Sequence, residues 1–415
     1  MNKSKNFRRF LLLWSGELIS SIGGGLTSFG LGVYIFHQTG SAASMALVTL
    51  LGFLPTLLLS VPAGVLADRF DRRLLMMIGD GCSALGILYI LICMMRGSAS
   101  LTQICTGVFV SAVFSSLLEP SFRATITDLL TREEYSRASA LVSLAGSARY
   151  LFSPVIAGFL LSVSNVKLLL VIDICTFFLT ILSAAVVRKG LGNRAAQKAD
   201  PFLRSMKDGW RVLCVNRGVL ILVAVSSGIT LFMGVFQILA EPLILSFSNA
   251  KTLGTAETVC ACGMLVSSLI LGTKGLKGHY VRTLALSLMT AGLFMSGFGL
   301  FESILPICIF GFLFFAMLPF ANNCLDYLVR TNIPDDTQGR VWGLIGFLSQ
   351  LGYVAAYALS GVAADALGRI HGHGVGRGAA LVILISGICL AVTAALILLP
   401  KSIRKLEYTN RSKEI

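Results

Sequence analysis

The sequence predicts an all-α membrane protein with twelve transmembrane helices in two six-helix bundles, and three observations carry that reading. Of 415 residues, 55% are hydrophobic and only 13% are charged, whereas a soluble globular protein carries roughly 25% charged residues. The apolar residues gather into twelve runs of bilayer-crossing length, about 20 residues each. One long basic, polar stretch at 188–217 follows the sixth run, while most other connections are a few residues long. A single soluble core also stops growing beyond about 250–300 residues. The expected organisation is a bundle at 1–187, a cytoplasmic linker at 188–217, and a second bundle with a cytoplasmic tail at 218–415.

In chain order, the first span (10–36) is rich in Gly and Ser from Ser20 to Gly32 and carries Glu17 about two turns in. Span two (43–66) contains Pro55 and Pro62, and span three covers 74–95. Span four (100–124) contains Glu119-Pro120. Span five (138–162) holds Arg149 near its middle, then Ser153-Pro154 and Gly158. Span six (165–187) carries Asp173, and span seven (218–246) carries Glu241-Pro242. Spans eight to ten cover 255–273, 282–301 and 304–329, the last with Pro306, Pro319 and Asp326; spans eleven and twelve cover 340–366 and 379–399. Proline bends a helix and frees backbone groups, which is tolerated beside a cavity. The glycines of span one read mainly as close-packing faces.

Orientation follows from Lys and Arg, which favour the cytoplasmic side of short loops. With both termini inside, only Arg96, Lys167, Lys251, Arg369 and Arg377 fall in outer loops and only Arg149 within a span; every other Lys and Arg is inside. The net charge of +14 therefore expresses membrane topology rather than a nucleic-acid face. The apolar run after basic Met1–Arg9 is too long, and lacks a small-residue cleavage site, for a cleaved signal peptide. Most of the ten cysteines lie inside apolar runs, where Cys packs as a small hydrophobe, so no disulfide is expected. No metal site or cofactor is expected either; only His371 and His373 stand close enough in sequence to suggest one. Phe202, Leu203, Met206, Trp210 and Leu213 in the linker fall near one helical face, as in a helix lying on the inner membrane surface.

Gly64-Val65-Leu66-Ala67-Asp68-Arg69-Phe70-Asp71-Arg72-Arg73 links spans two and three. So much charge between two apolar runs implies a tight turn at the membrane face. The stretch resembles the Gly-x-Leu-x-Asp-Arg-x-Gly-Arg-Arg/Lys signature of the major facilitator superfamily. Gly64, Leu66, Asp68, Arg69, Arg72 and Arg73 match, and Asp71 stands where the signature has Gly. The opening Phe10-Leu11-Leu12-Leu13-Trp14-Ser15-Gly16-Glu17, the run Ile172-Asp173-Ile174-Cys175-Thr176-Phe177, and Gly339-Arg340-Val341-Trp342 before span eleven are similar to the bacterial macrolide-efflux branch of that superfamily. Gln103 and Gly107 occupy the region where other drug–proton antiporters carry an Arg. The halves also echo one another: Arg137 follows acidic Glu133-Glu134 and Arg340 follows acidic Asp335-Asp336, each with a Gly, Gly158 or Gly361, 21 residues on. Such parallel repeats suit this fold.

The resemblance implies that Gly64, Asp68, Arg69, Arg72 and Arg73 form a gating latch on the inner face, with Arg340 at the start of span eleven. A carboxylate is favoured at a helix N-terminus or opposite an Arg, and Asp128, past span four, is a partner for Arg72 or Arg73. Ionisable groups within spans mark pathways or relays by default. Glu17, Glu119, Arg149, Asp173 and Asp326 are therefore the candidates for proton coupling or substrate binding. Arg149 should have a buried carboxylate partner, either Glu17 or Glu119. Phe29, Tyr34, Phe36, Phe232, Met233, Phe236 and Gln237 are candidate walls of an apolar cavity.

No phosphate-binding loop, nucleophile elbow or HExxH is present, so no enzyme is expected. The leading expectation is a monomeric, multi-pass transporter of a bacterial plasma membrane. It would export small amphipathic drug- or macrolide-like molecules in exchange for protons, a route to antibiotic resistance, and contact only substrate, protons and lipid. A metabolite uniporter or importer, and a membrane sensor that binds without transporting, are the alternatives.

Overall fold

The structure is a computed structural model describing residues 3–131, 134–188, 210, 217–276, 278–333, 338–372, 374–398, 400, 403 and 406. Among these residues there is no strand. Thirteen helices follow in order: α1 (Lys3–Thr39), α2 (Ala42–Arg69), α3 (Arg72–Met95), α4 (Leu101–Ser115), α5 (Leu118–Leu129), α6 (Tyr135–Val163), α7 (Val166–Arg188), α8 (Arg217–Leu245), α9 (Ala250–Lys274), α10 (Tyr280–Phe298), α11 (Ile304–Asn332), α12 (Gln338–His371) and α13 (Gly374–Leu396). They supply twelve stretches long and apolar enough to cross a membrane. Apart from Trp210, the proposed linker face lies outside the described residues.

Local chemistry sets the ends. Asp71 caps α3, its carboxylate accepting from the Arg73 N–H. Ser100 and Gln103 close a reciprocal capping box on α4, and Asn249 caps α9; each satisfies amides that the first helical turn leaves open. The Asn249 cap starts the eighth span at Ala250 instead of 255, because helix extends through the polar first turn ahead of the apolar run. Span four is broken: α4 stops at Ser115 and α5 begins at Leu118. Pro120 has no N–H to offer the carbonyl one turn back, and its ring crowds that carbonyl.

The chain forms two compact units, residues 1–39 with 47–199, and residues 40–46 with 200–415. In the first, α1 packs against α6 and α7, and α3 packs against α4 and α7. Glycines spaced seven residues apart let α1 approach α7. A Cβ on Gly16 would stand 2.8 Å from Ser183 Oγ, one on Gly23 2.5 Å from Thr176 Oγ1, and one on Gly30 2.6 Å from a Leu169 methyl. Within lipid, apolar burial gives helices no reason to associate, so such close packing supplies the attraction. Phe10, Leu13, Met76, Phe122, Leu129, Ala184 and Val187 form a core at the hinge end of this unit.

The second unit repeats these pairings, with α8 against α12 and α13, and α10 against α11 and α13. Gly263 lies against the α11 backbone and Gly352 against the α8 backbone. Phe236 stacks on Phe314 at 4.8 Å and meets Phe298 at 4.6 Å. Ser226 and Ser349 share a 2.6 Å hydrogen bond, and Ser227 donates to the Leu348 carbonyl at 3.0 Å.

Candidate functional site

The hinge is wired around Asp128, at the C-terminal end of α5. Arg72 donates to its Oδ1 at 2.8 Å, and Arg73 approaches Oδ2 at 3.8 Å. Arg72 also donates to the Ala67 and Ala124 carbonyls, at 3.2 and 2.8 Å. One planar guanidinium thereby joins the last turn of α2 to α5, where helix carbonyls favour a cation. Asp68 is more loosely attached, exposed and 3.7 Å from Arg72. Asp71, where the signature has Gly, caps α3 and accepts from Arg188 Nε at 2.8 Å, tying the end of α7 to the hinge. Arg69 is exposed, and Gly64 has open space where a side chain would stand. For Arg340 the structure describes only its place in the first turn of α12.

The mid-membrane groups of the first unit meet where α1, α3, α6 and α7 pack. Asp173 on α7 is buried. It accepts from Thr27 Oγ1 on α1 at 2.6 Å, while Thr176 Oγ1 donates to its backbone carbonyl at 2.7 Å. Gly23 makes this possible, since a Cβ there would lie 2.8 Å from Asp173 Oδ1. Asp80 on α3 is 1% exposed, and neither carboxyl oxygen has a hydrogen-bond partner among the described residues. Its electrostatic neighbours are Glu17 and Asp173, both acidic. Glu17 is half-buried on α1.

Arg149 does not make the expected pairing with Glu17 or Glu119. Arg149 is exposed, and its Nη2 donates to Ser28 Oγ at 3.3 Å. Glu119 instead pairs at 2.8 Å with Arg123, one turn along α5, with both side chains largely exposed. Glu119 and Arg123 are i and i+4 on α5, so they are neighbours on one helical face. Asp326 is exposed near the end of α11. Two of the candidate cavity walls are core residues: Phe29 and Phe236 are both 5% exposed. Gln237 accepts from the Tyr357 hydroxyl at 2.7 Å, and the Tyr34 hydroxyl accepts from the Ala99 amide at 3.2 Å.

Three acids within spans escaped the reading of the sequence. Asp80 is one. Glu257 is half-buried on α9 and interacts electrostatically with Glu241 on α8. Asp365 on α12 lies within the second unit against the start of α2, accepting from Ser41 Oγ at 2.5 Å and from the Ala42 and Ala43 amides at 2.9 and 3.2 Å. Each was visible only as one acid inside an apolar run. Among the described residues, no three His, Cys, Asp or Glu gather as a metal site.

A site of buried carboxyls, threonine hydroxyls and one accessible guanidinium can hold and release protons and bind a charged group; nothing in it activates a nucleophile. Comparison with known proteins places the chain in a family. The family model of the Major Facilitator Superfamily matches residues 13–357. Macrolide efflux protein A of Streptococcus pyogenes is 29% identical, covering 98% of this chain and all of the relative. The enterobactin exporter EntS of Salmonella paratyphi A is 26% identical over 82% of each chain. Among solved structures, that of the nucleoside transporter NupG superposes with a TM-score of 0.73 at 12% identity, covering 95% of this chain and all of that one.

Proposed function

This chain belongs to the major facilitator superfamily, and from that premise we propose that it exports small amphipathic molecules across a bacterial plasma membrane in exchange for protons. It is a multi-pass membrane transporter with relatives named as efflux proteins. Export is supported by the likeness to macrolide efflux protein A along nearly the whole chain. In this reading the chain works as a monomer, with both termini and the hinge on the cytoplasmic side. The bundles rock to open the site alternately to each face. Asp68, Arg69, Arg72 and Arg73 gate the inner side, with Arg340 at the start of α12.

The single observation behind proton coupling is Asp80, a buried carboxyl with neither a donor nor a cation on its oxygens among the described residues. An unpaired carboxylate without hydrogen bonds costs several kcal/mol in such surroundings. A bound proton removes that cost, and water entering beside α3 restores the ionised form. Protonation thus becomes linked to conformation. Glu17 and Asp173 lie in electrostatic range to pass or share the proton.

The test is substrate accumulation in everted vesicles with an imposed pH gradient, inside acidic, using a macrolide and a panel of amphipathic dyes that includes anionic ones. Accumulation should depend on the gradient. Asp80→Asn should uncouple it, leaving downhill movement intact while abolishing uphill movement, and Glu17→Gln should weaken it. Accumulation indifferent to the gradient would remove proton exchange from the mechanism.

A further inference from the structure

We infer that Arg149 is the anion-binding group of the substrate subsite, so that the exported amphipathic molecule carries an acidic group such as a carboxylate or sulfonate. This rests on the export reading and narrows its substrate class.

Arg149 sits deep in its span. Arg149 stands 14 residues from each end of α6, or about 21 Å along a helix rising 1.5 Å per residue. The hydrocarbon core is roughly 30 Å thick, so the residue lies near its centre. Its side chain is too short to carry the charge out to the headgroups, as Arg does near span ends. Yet the residue is exposed. A bare guanidinium facing acyl chains is costly, so the accessible surface belongs to a polar, water-filled recess.

The protein does not neutralise this charge. The only hydrogen bond from the guanidinium goes to Ser28, a neutral acceptor, among the described residues. Among those residues, too, no carboxylate lies within 4.0 Å of it. Asp173 acts on it at longer range, with one carboxyl oxygen held by Thr27 at 2.6 Å. Glu17 is on α1 eleven residues before Ser28, about 16 Å away along the helix, and Glu119 is engaged by Arg123. Most of the five guanidinium N–H donors remain open, in a planar fork that fits a carboxylate or sulfonate through two parallel bonds.

The surroundings leave room for such a group. A Cβ placed on Gly24 or on Gly146 would meet nothing within 4 Å. Gly24 is one turn before Ser28, and Gly146 is three residues before Arg149. On α1, Glu17, Ser20, Gly24 and Ser28 recur at helical spacing as a partly or fully exposed polar stripe, so the recess continues along that helix.

The test uses the full chain in lipid nanodiscs and three matched probes: naphthalene-2-sulfonate, 2-naphthol and 2-naphthyltrimethylammonium. Binding is measured by equilibrium dialysis against empty nanodiscs. The sulfonate should bind about tenfold or more tighter than the ammonium compound, as expected for a charge-assisted pair. Arg149→Gln should abolish that preference, and Arg149→Lys should keep part of it. The wild-type comparison decides the matter even if a variant fails to fold. No sulfonate binding, equal binding of all three, or a preference unchanged in a folded Arg149→Gln protein would each overturn the assignment. Anion binding without vesicle transport would leave the subsite standing and refute export instead.

Discussion

Two of the hinge aspartates, Asp68 and Asp128, both pair with Arg72 but are unequal in the structure, so replacing each with Ala separates anchoring from gating. Asp128 is mostly buried, at 12% side-chain exposure, and engages Arg72 at 2.8 Å and Arg73 at 3.8 Å; the Arg73 side chain is 7% exposed. Its loss removes one charge-assisted hydrogen bond, which contributes about 1.5–3 kcal/mol. It also leaves Arg73 nearly enclosed with no anion, when its Nε already lacks a partner among the described residues. Breaking a fully buried pair costs about 3–5 kcal/mol. Arg72 keeps its two carbonyl contacts, so Asp128→Ala should cost about 2–4 kcal/mol in total. Asp68 is 45% exposed and 3.7 Å from Arg72, a surface pair contributing roughly 0–1 kcal/mol. Thermal unfolding in detergent should therefore show a clear drop in midpoint for Asp128→Ala and almost none for Asp68→Ala. If Asp68 gates, its replacement should still slow transport in vesicles. Equal destabilisation by the two substitutions would refute this partition of the hinge, and unimpaired transport by Asp68→Ala would refute the latch.

Two further expectations concern packing and capping. Gly23→Ala forces a methyl to 2.5 Å from Thr176 Oγ1 and 2.8 Å from Asp173 Oδ1, so it should cost about 1–3 kcal/mol as an overpacked core does; Gly24→Ala, with nothing within 4 Å, should leave the unfolding midpoint unchanged, and a reversed order would refute the α1–α7 seam. Asp365→Ala removes an acceptor from the first amides of α2, a cap contributing about 1 kcal/mol; hydrogen exchange should quicken at Ala42 and Ala43 and stay unchanged in the middle of α2, whereas unaltered protection at Ala42 would refute the cap.

Almost all of the fold was legible, because lipid imposes a length and an apolarity on each crossing segment, and these are properties of local sequence. The twelve spans, the break threatened by Pro120 and the small-residue face of α1 could be read this way. What could not be read was wiring. A single Asp in Leu74–Leu85 carries no periodic signal, and whether it meets a donor depends on α1 and α7, distant in sequence. Asp71 looked like a neutral departure from a signature, yet it both caps α3 and holds Arg188. Phe29 and Phe236 looked like cavity walls, because sequence alone does not distinguish an aromatic facing a cavity from one facing its own bundle.

The expected acidic partner for Arg149 failed for a reason that bears on mechanism. The cost of a charge at mid-membrane is real and demands compensation. The structure instead gives Arg149 a serine and an open side, while Asp173, which acts on it at longer range, is held by threonine, and Glu119 pairs with Arg123. A stability-driven design would have closed that pair. Leaving an accessible cation and a separate, enclosed carboxyl at Asp80 keeps two charges apart that would otherwise cancel. In the proposed exchange, Asp80 would take the proton and Arg149 the substrate, so each would have its own group within the same unit.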